Sequence, residues 1–202
     1  MPSLEQNLQK DASIIGIDMH VVRRVFPHEY KKYKDHLKSL DFESRVMRFG
    51  FPVKDEVIDT LCDGIEKNYK DHVLFCVEDC QLNFIGVGHI STQGEMELAF
   101  SVHQDYRKQG IGSALINRVV QYCKTRGLLK GQMVCLSTNT AIKRLCHKHG
   151  IKLESEHGET YGYINLDIPN IDTYLNENNS ANLAVTDYFV KRAVNFWSIS
   201  PN

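Results

Sequence analysis

No stretch of the 202 residues approaches the roughly 18 consecutive apolar residues that a membrane-spanning helix needs. The opening residues, Met1-Pro2-Ser3-Leu4-Glu5-Gln6-Asn7, hold no apolar signal core and no cleavage site. A cytoplasmic chain is therefore expected. Net charge is nearly absent: 24 Lys and Arg stand against 25 Asp and Glu, a balance of −1. That gives no overall case for a nucleic-acid partner, which a basic excess would signal, or for an acidic solvating tail. The six cysteines, at 62, 76, 80, 123, 135 and 146, show no framework of spacings, so reduced thiols are expected rather than disulfide staples. Neither Cys76 with Cys80 nor His147 with His149 has a second pair at structural zinc spacing, and no metal is expected. Low-complexity segments and internal repeats are missing as well. At 42% hydrophobic and 24% charged residues, the composition is that of a folded globular chain.

What is present reads as one domain with additions. Residues 1–16 are polar and are expected to form a flexible tail, residues 17–168 a domain, and residues 169–202 a helical extension. The alternation over 19–26 predicts a first strand. Pro27 opens a helix to about Leu40, because proline fits the first helical turn. Residues 39–51 read as a connector. A second helix is expected over 53–69, with Val57, Leu61 and Ile65 four apart on one face. Strands at 72–78, 84–92 and 96–102, joined by short turns, predict an antiparallel meander. A helix over 110–126, stopped by Gly127, carries Ile111, Leu115, Val119 and Tyr122 on one stripe. A strand at 132–137, a helix at 140–149 and strands at 151–153 and 160–166 complete a mixed α/β domain. After a polar Asn-rich loop, 181–198 reads as an amphipathic helix bearing the only tryptophan, Trp197. It packs on its own domain or joins a partner, such as a second copy in a homodimer.

The segment with chemistry in it is Val102-His103-Gln104-Asp105-Tyr106-Arg107-Lys108-Gln109-Gly110-Ile111-Gly112-Ser113-Ala114-Leu115. A strand ends, a loop turns on two glycines, and a long helix begins. The first N–H groups of a helix have no internal partner, and the helix dipole adds positive character there. Glycines let a diphosphate approach that backbone closely. The segment is not a Walker loop, because the chain has no Gly-Lys-Ser/Thr. It is not a dinucleotide fingerprint, because Leu115 stands where the third glycine belongs. A Gly-x-Ser-x-Gly elbow and a His-Glu-x-x-His pair are also absent.

The remaining Arg107-x-x-Gly110-x-Gly112 resembles the acetyl-CoA loop of the GNAT superfamily of N-acetyltransferases, whose motif is Gln/Arg-x-x-Gly-x-Gly/Ala. A second stretch, from Asn139 to Ile151, resembles that family's Asn-x-x-Ala-x-x-Leu-Tyr-x-Lys-x-Gly-Phe. Asn139, Leu145, Lys148 and Gly150 match it, while Ile142, Cys146 and Ile151 replace Ala, Tyr and Phe. The ending Gly162-Tyr163-Ile164-Asn165-Leu166 resembles the last hairpin of bacterial members. The resemblance covers about residues 19–166. It implies the GNAT fold: a central mixed, mostly antiparallel sheet of about seven strands flanked by helices, with a splayed parallel pair in the middle. It further implies an acetyl-CoA cofactor whose pantetheine slots between strands 96–102 and 132–137. Val102 backbone groups would read the pantetheine. N–H groups of Gln109, Gly110, Ile111, Gly112 and Ser113 would hold the diphosphate, with Arg107 and Lys108 at the rim. Asn139 and Lys148 would lie near the far end of the cofactor.

The activity so implied is acetyl transfer to a primary amine by direct attack in a ternary complex. The acceptor would be a small molecule, a protein lysine or an N-terminus. Such an amine, with a pKa of about 10.4, is almost wholly protonated at neutral pH, so a base must take a proton. Glu97 stands in the strand where many bacterial members carry a glutamate used this way. Alternation puts Glu95, Glu97 and Ala99 on one strand face. The other reading of Glu97 is a substrate-binding or solvated charge. The leaving thiolate needs a proton, which the family often takes from the Tyr at the Cys146 position. Cys146 has a thiol that could donate or simply be buried; Tyr163, Tyr161 or solvent could replace it. The alternative function is an acyl-CoA-binding sensor without turnover. The charge balance also conceals a division. Residues 103–152 hold ten Lys and Arg against the single acid Asp105, leaving fourteen against 24 elsewhere. A basic segment beside an anion loop favours an anionic ligand.

Overall fold

The computed structural model describes residues 20–199; the expected tail over 1–16 lies outside them. Seven strands form one sheet in the order β1-β2-β3-β4-β5-β7-β6. They are β1 (Arg23–Arg24), β2 (His72–Glu78), β3 (Phe84–Ser91), β4 (Glu97–Val102), β5 (Lys130–Leu136), β6 (Lys152–Glu156) and β7 (Glu159–Asn165). Only β4 and β5 run parallel; every other neighbouring pair is antiparallel. This is the mixed, mostly antiparallel sheet that the sequence implied. The helices are α1 (Tyr30–Ser39), α2 (Phe42–Phe49), α3 (Asp55–Lys67), α4 (Ile111–Thr125), α5 (Thr140–Lys148) and α6 (Ile171–Ile199).

Alternation along the strands sends side chains to two separate cores. Leu74 and Cys76 of β2 join Tyr33, Leu37, Ile58 and Ile65 beneath α1 and α3. Phe75 and Val77 join Leu98, Leu115, Val119 and Cys123 beneath α4. The α1 side also buries polar groups, each with partners. Arg23 Nε and Nη2 donate to Glu78 at 2.8 and 2.5 Å, and Nη1 and Nη2 donate to Glu29 at 2.7 and 2.8 Å. Burial alone would lower the Arg23 pKa, but the two carboxylates overcome that and raise it. His36 bonds the Phe84 carbonyl and Ser101 Oγ, and His72 Nδ1 lies 3.0 Å from His89 Nε2.

Several expectations need correction. The first strand shrinks from 19–26 to two residues, opposite Phe75 and Cys76. Pro27 opens a 3-10 turn over Pro27–Glu29, and the α-helix starts only at Tyr30. The expected connector over 39–51 contains α2. Its Asp41 cap accepts from the Ser44 N–H at 2.7 Å, and Gly50, at φ 82°, stops it. In α3 the buried stripe is Ile58, Cys62 and Ile65, while Val57 and Leu61 of the expected stripe are 48% and 36% exposed. The Asn-rich loop does not exist: α6 starts at Ile171 and runs 29 residues. It packs along α4 and β1, tied by the Glu177 ion pair with Arg118. Tyr188 lies over Arg23 at 4.5 Å, and Lys191 Nζ donates to the Glu78 carbonyl at 3.2 Å. Among the described residues, no helix is long and apolar enough to cross a membrane.

Candidate functional site

β4 and β5 meet at one register point, Glu97 opposite Gln132, where the Gln132 N–H donates to the Met96 carbonyl at 2.8 Å. Gly131 makes that contact feasible, because a Cβ there would stand 2.4 Å from the same carbonyl oxygen. Past this tie the strands follow different partners. β4 stays with β3 as far as Val102 opposite Gly86, and β5 stays with β7 as far as Leu136 opposite Glu159. A wedge opens between them, edged by backbone groups that no strand among the described residues pairs. Unpaired backbone edges of this kind suit an extended ligand bearing amides, which can add as a short pseudo-strand.

The wedge runs toward the glycine loop. Lys108 at φ 62° and Gly110 at φ 92° are both left-handed and flank Gln109. Such turns curl backbone N–H groups into a concavity that takes anions. Gly110 caps α4 with no side-chain cap, so the helix's first N–H groups remain available. The two glycines do different work. A Cβ on Gly110 would meet only a His20 carbon at 3.9 Å, so its left-handed backbone is what demands glycine. A Cβ on Gly112 would lie 2.9 Å from Leu145 Cδ1, so that position lets α4 seat against α5. Ile111 is buried in the core and offers only its backbone. The loop is braced by His20 Nε2, which donates to the Gln109 carbonyl at 2.7 Å.

The side chains expected around the anion are divided. Lys148 Nζ reaches Ser113 Oγ at 3.0 Å and brings positive charge to the first turn of α4. Lys108 is exposed beside it. Arg107 instead turns to α2, where it donates to Ser44 Oγ and stands 3.9 Å from Asp41. Hydrogen bonds from the Ser44 side chain and N–H hold the Asp41 carboxyl below its usual range, with the Arg107 charge assisting. Asn139 caps α5 through the Ile142 N–H at 3.2 Å, and its Nδ2 donates to the Met47 carbonyl of α2 at 3.4 Å. Arg107 and Asn139 thus fasten α2 near the wedge, a role sequence reading missed along with α2 itself.

The catalytic candidates also part company. Glu97 is exposed at the tie. Its register partner Gln132 pairs on to Tyr163, which is 44% exposed. Residues in one register row share a face, so Glu97 and Tyr163 stand on the same side, about 10 Å apart across two strand spacings. Cys146 does not reach that face. It is fully buried, and its thiol donates to Met133 Sδ at 3.2 Å. Burial, with a smaller effect from Cys135, pushes it up to about 11. A thiol so enclosed has no open path to the wedge, which favours the packing reading of Cys146. Tyr161 is engaged by Glu159 at 2.8 Å. Gln132 and Gly131 were not singled out from sequence; a glycine inside an apolar strand was the available signal.

Comparison with known proteins agrees with this geometry. The model of the acetyltransferase (GNAT) family matches residues 37–151. The GNAT domain of S. lividans PAT superposes with a TM-score of 0.61 at 18% identity, over 72% of this chain and 89% of that one. PaiA N-acetyltransferase from Thermoplasma acidophilum, solved in complex with coenzyme A, gives 0.54 at 14% identity, over 71% and 97%. A spermidine N-acetyltransferase from Vibrio cholerae gives 0.53 at 20%, over 71% and 94%. At these identities the structures speak for the fold alone. The family match spans more than half of the sequence and coincides with the wedge and its loop, so the chain belongs to the acetyltransferase (GNAT) family.

Proposed function

We propose that the chain transfers an acetyl group from acetyl-CoA to a primary amine by direct attack in a ternary complex. The observation that carries this reading is the wedge, closed at Glu97–Gln132 and opening toward the uncapped start of α4. The chain fits such a cofactor. Gly110 keeps the loop open, Lys148 and Lys108 supply positive charge, and the β4 edge offers amide partners from Leu98 to Val102. When bound, acetyl-CoA supplies the acyl group and a thiol leaving group. The residues do the rest. N–H groups of Gln109 to Ser113 would hold the diphosphate, and Val102 backbone groups the pantetheine. Glu97 would take a proton from the amine, directly or through a water. A β4 N–H near Phe100–Val102 would hold developing negative charge on the acyl oxygen. Tyr163 or solvent would return a proton to the thiolate, since Cys146 is enclosed.

The partners in this reading are acetyl-CoA, an amine acceptor and a second copy of the chain; neither nucleic acid nor membrane enters it. The chain works in the cytoplasm, where thiols such as those of its six cysteines stay reduced. The enclosed Cys146 favours one other reading, an acyl-CoA-binding sensor that keeps the loop and lacks turnover. Thiol release from acetyl-CoA with a panel of amines separates the two. Release with any amine supports the transferase, and tight binding without release supports the sensor.

A further inference from the structure

α6 has two faces of opposite character. Glu177, Ala184, Tyr188, Lys191 and Asn195, spaced by seven, four, three and four, turn toward the fold. There they meet Arg118, the core, Arg23, the Glu78 carbonyl and the Cys80 carbonyl. At 3.6 residues per turn, the opposite face over 183–197 carries Leu183, Val185, Phe189, Val190, Phe196 and Trp197. They are 48–75% exposed. Toward the N-terminal end of the helix the outward residues Asn176, Asn178, Asn179 and Asn182 are polar, with Leu175 and Tyr174 exposed beyond them. The helix beneath it is fixed by its inner contacts, so the face is presented rigidly.

We propose that a second copy of the chain covers this face, with the two α6 helices packed across a two-fold axis near Phe189 and Val190. The proposal rests on the pairing named in the functional reading and not on its chemistry. Area argues for it. Six large side chains at 48–75% exposure, three of them aromatics of about 150–250 Å² each, leave on the order of 600 Å² apolar per copy. That exceeds the few hundred Å² of an ordinary exposed patch and comes near the roughly 800 Å² per partner of a stable interface. Charge argues for the occupant. Over 183–197 the charged residues are Asp187, Lys191 and Arg192, and the first two pair with each other at 2.8 Å. A helix lying on a membrane carries a basic polar face, and Arg192 alone does not make one. A face without charge is instead complementary to itself, as a two-fold contact requires.

Sedimentation and light scattering of the full chain should give twice the 23.2 kDa chain mass. The double variant Phe189→Glu, Trp197→Glu should fall to the single mass with an unchanged circular dichroism spectrum. Should that variant misfold, dilution of the native chain reads the same event. Trp197, the only tryptophan, should shift its emission to the red at the concentration where the mass halves. A native chain of single mass at high concentration would overturn the proposal. So would a double mass that survives both glutamates, or native binding to anionic phospholipid vesicles that the glutamates abolish. None of these outcomes touches the thiol-release assay, so failure of the pairing and failure of the chemistry are read separately.

Discussion

Along β1 to β4, helices cover both faces of the sheet: α1 and α3 on one and α4 on the other, with α6 along α4 and the β1 edge. Along β5, β7 and β6, α5 covers one face, and on the other Val134 and Tyr163 stand 39% and 44% exposed. The covered half can bury a guanidinium between two carboxylates and three histidines beside it, because its packing leaves each a partner. Among the described residues, the open half buries one polar side chain, Thr160 of β7, between Ser155 and Ser137, and no charged one. Neither half alone makes a site. The wedge arises because β4 is held by one half and β5 by the other, with the Gln132 N–H to Met96 carbonyl bond, made possible by Gly131, as their strand-to-strand tie. Stability should therefore respond mainly to the covered half, and ligand binding to the seam.

The largest expected effect is in the covered half. Glu78→Ala leaves Arg23 buried with one carboxylate, and breaking a buried pair this way costs about 3–5 kcal/mol. Urea unfolding should report that loss, with turnover per folded molecule unchanged well below the midpoint. Next comes the seam. Gly131→Ala drives a Cβ into the Met96 carbonyl, where only backbone can move, at about 1–3 kcal/mol. Here coenzyme A affinity, measured by calorimetry, should fall with stability. Wild-type affinity in this variant would break the comparison.

Acid should also act on the covered half. Burial pushes His36 down to about 4 and His89 to about 3, so both are neutral when folded. The unfolded chain takes up those protons first. The stability they contribute is whole above about pH 6.5 and is lost as pH falls toward 4, at about 1.4 kcal/mol per pH unit for each histidine. Urea midpoints across that range test the slope, and a flat profile would contradict the burial. The smallest effect belongs to Gly112→Ala, whose Cβ meets only the movable end of Leu145, at about 1 kcal/mol or less. Coenzyme A binding should also weaken as salt is added, since ten of the chain's 24 Lys and Arg lie in 103–152.

Much of this was legible in the sequence where periodicity and punctuation agree. The meander, α4 and the glycine loop follow from two-residue alternation, a 3.6-residue stripe and two glycines at a strand-to-helix turn. Where reading failed, the deciding contact was distant in sequence. Asp41 and Gly50 cap α2, and Phe42, Val46 and Phe49 between them are spaced four and three, a stripe too short in eight residues to stand out. What holds α2 in place is Arg107 and Asn139, 63 and 92 residues away from their partners. The Asn-rich start of α6 has weak helix propensity and becomes helical where Glu177 meets Arg118. Arg107 could be read as an anion ligand because sequence gives a side chain's position without its direction. The same limit applies to Cys146, whose burial against Met133 no residue spacing shows.

The central claim is that Glu97, at the register point between β4 and β5, works on a bound amine. It is tested by thiol release from acetyl-CoA over the amine panel, comparing wild type with Glu97→Gln while coenzyme A affinity is measured on the same samples. The expected result is release by the wild type, a kcat lowered roughly 10²–10⁴-fold in the variant, and equal affinity in both. Equal turnover in the two proteins, or none in either despite binding, would contradict it.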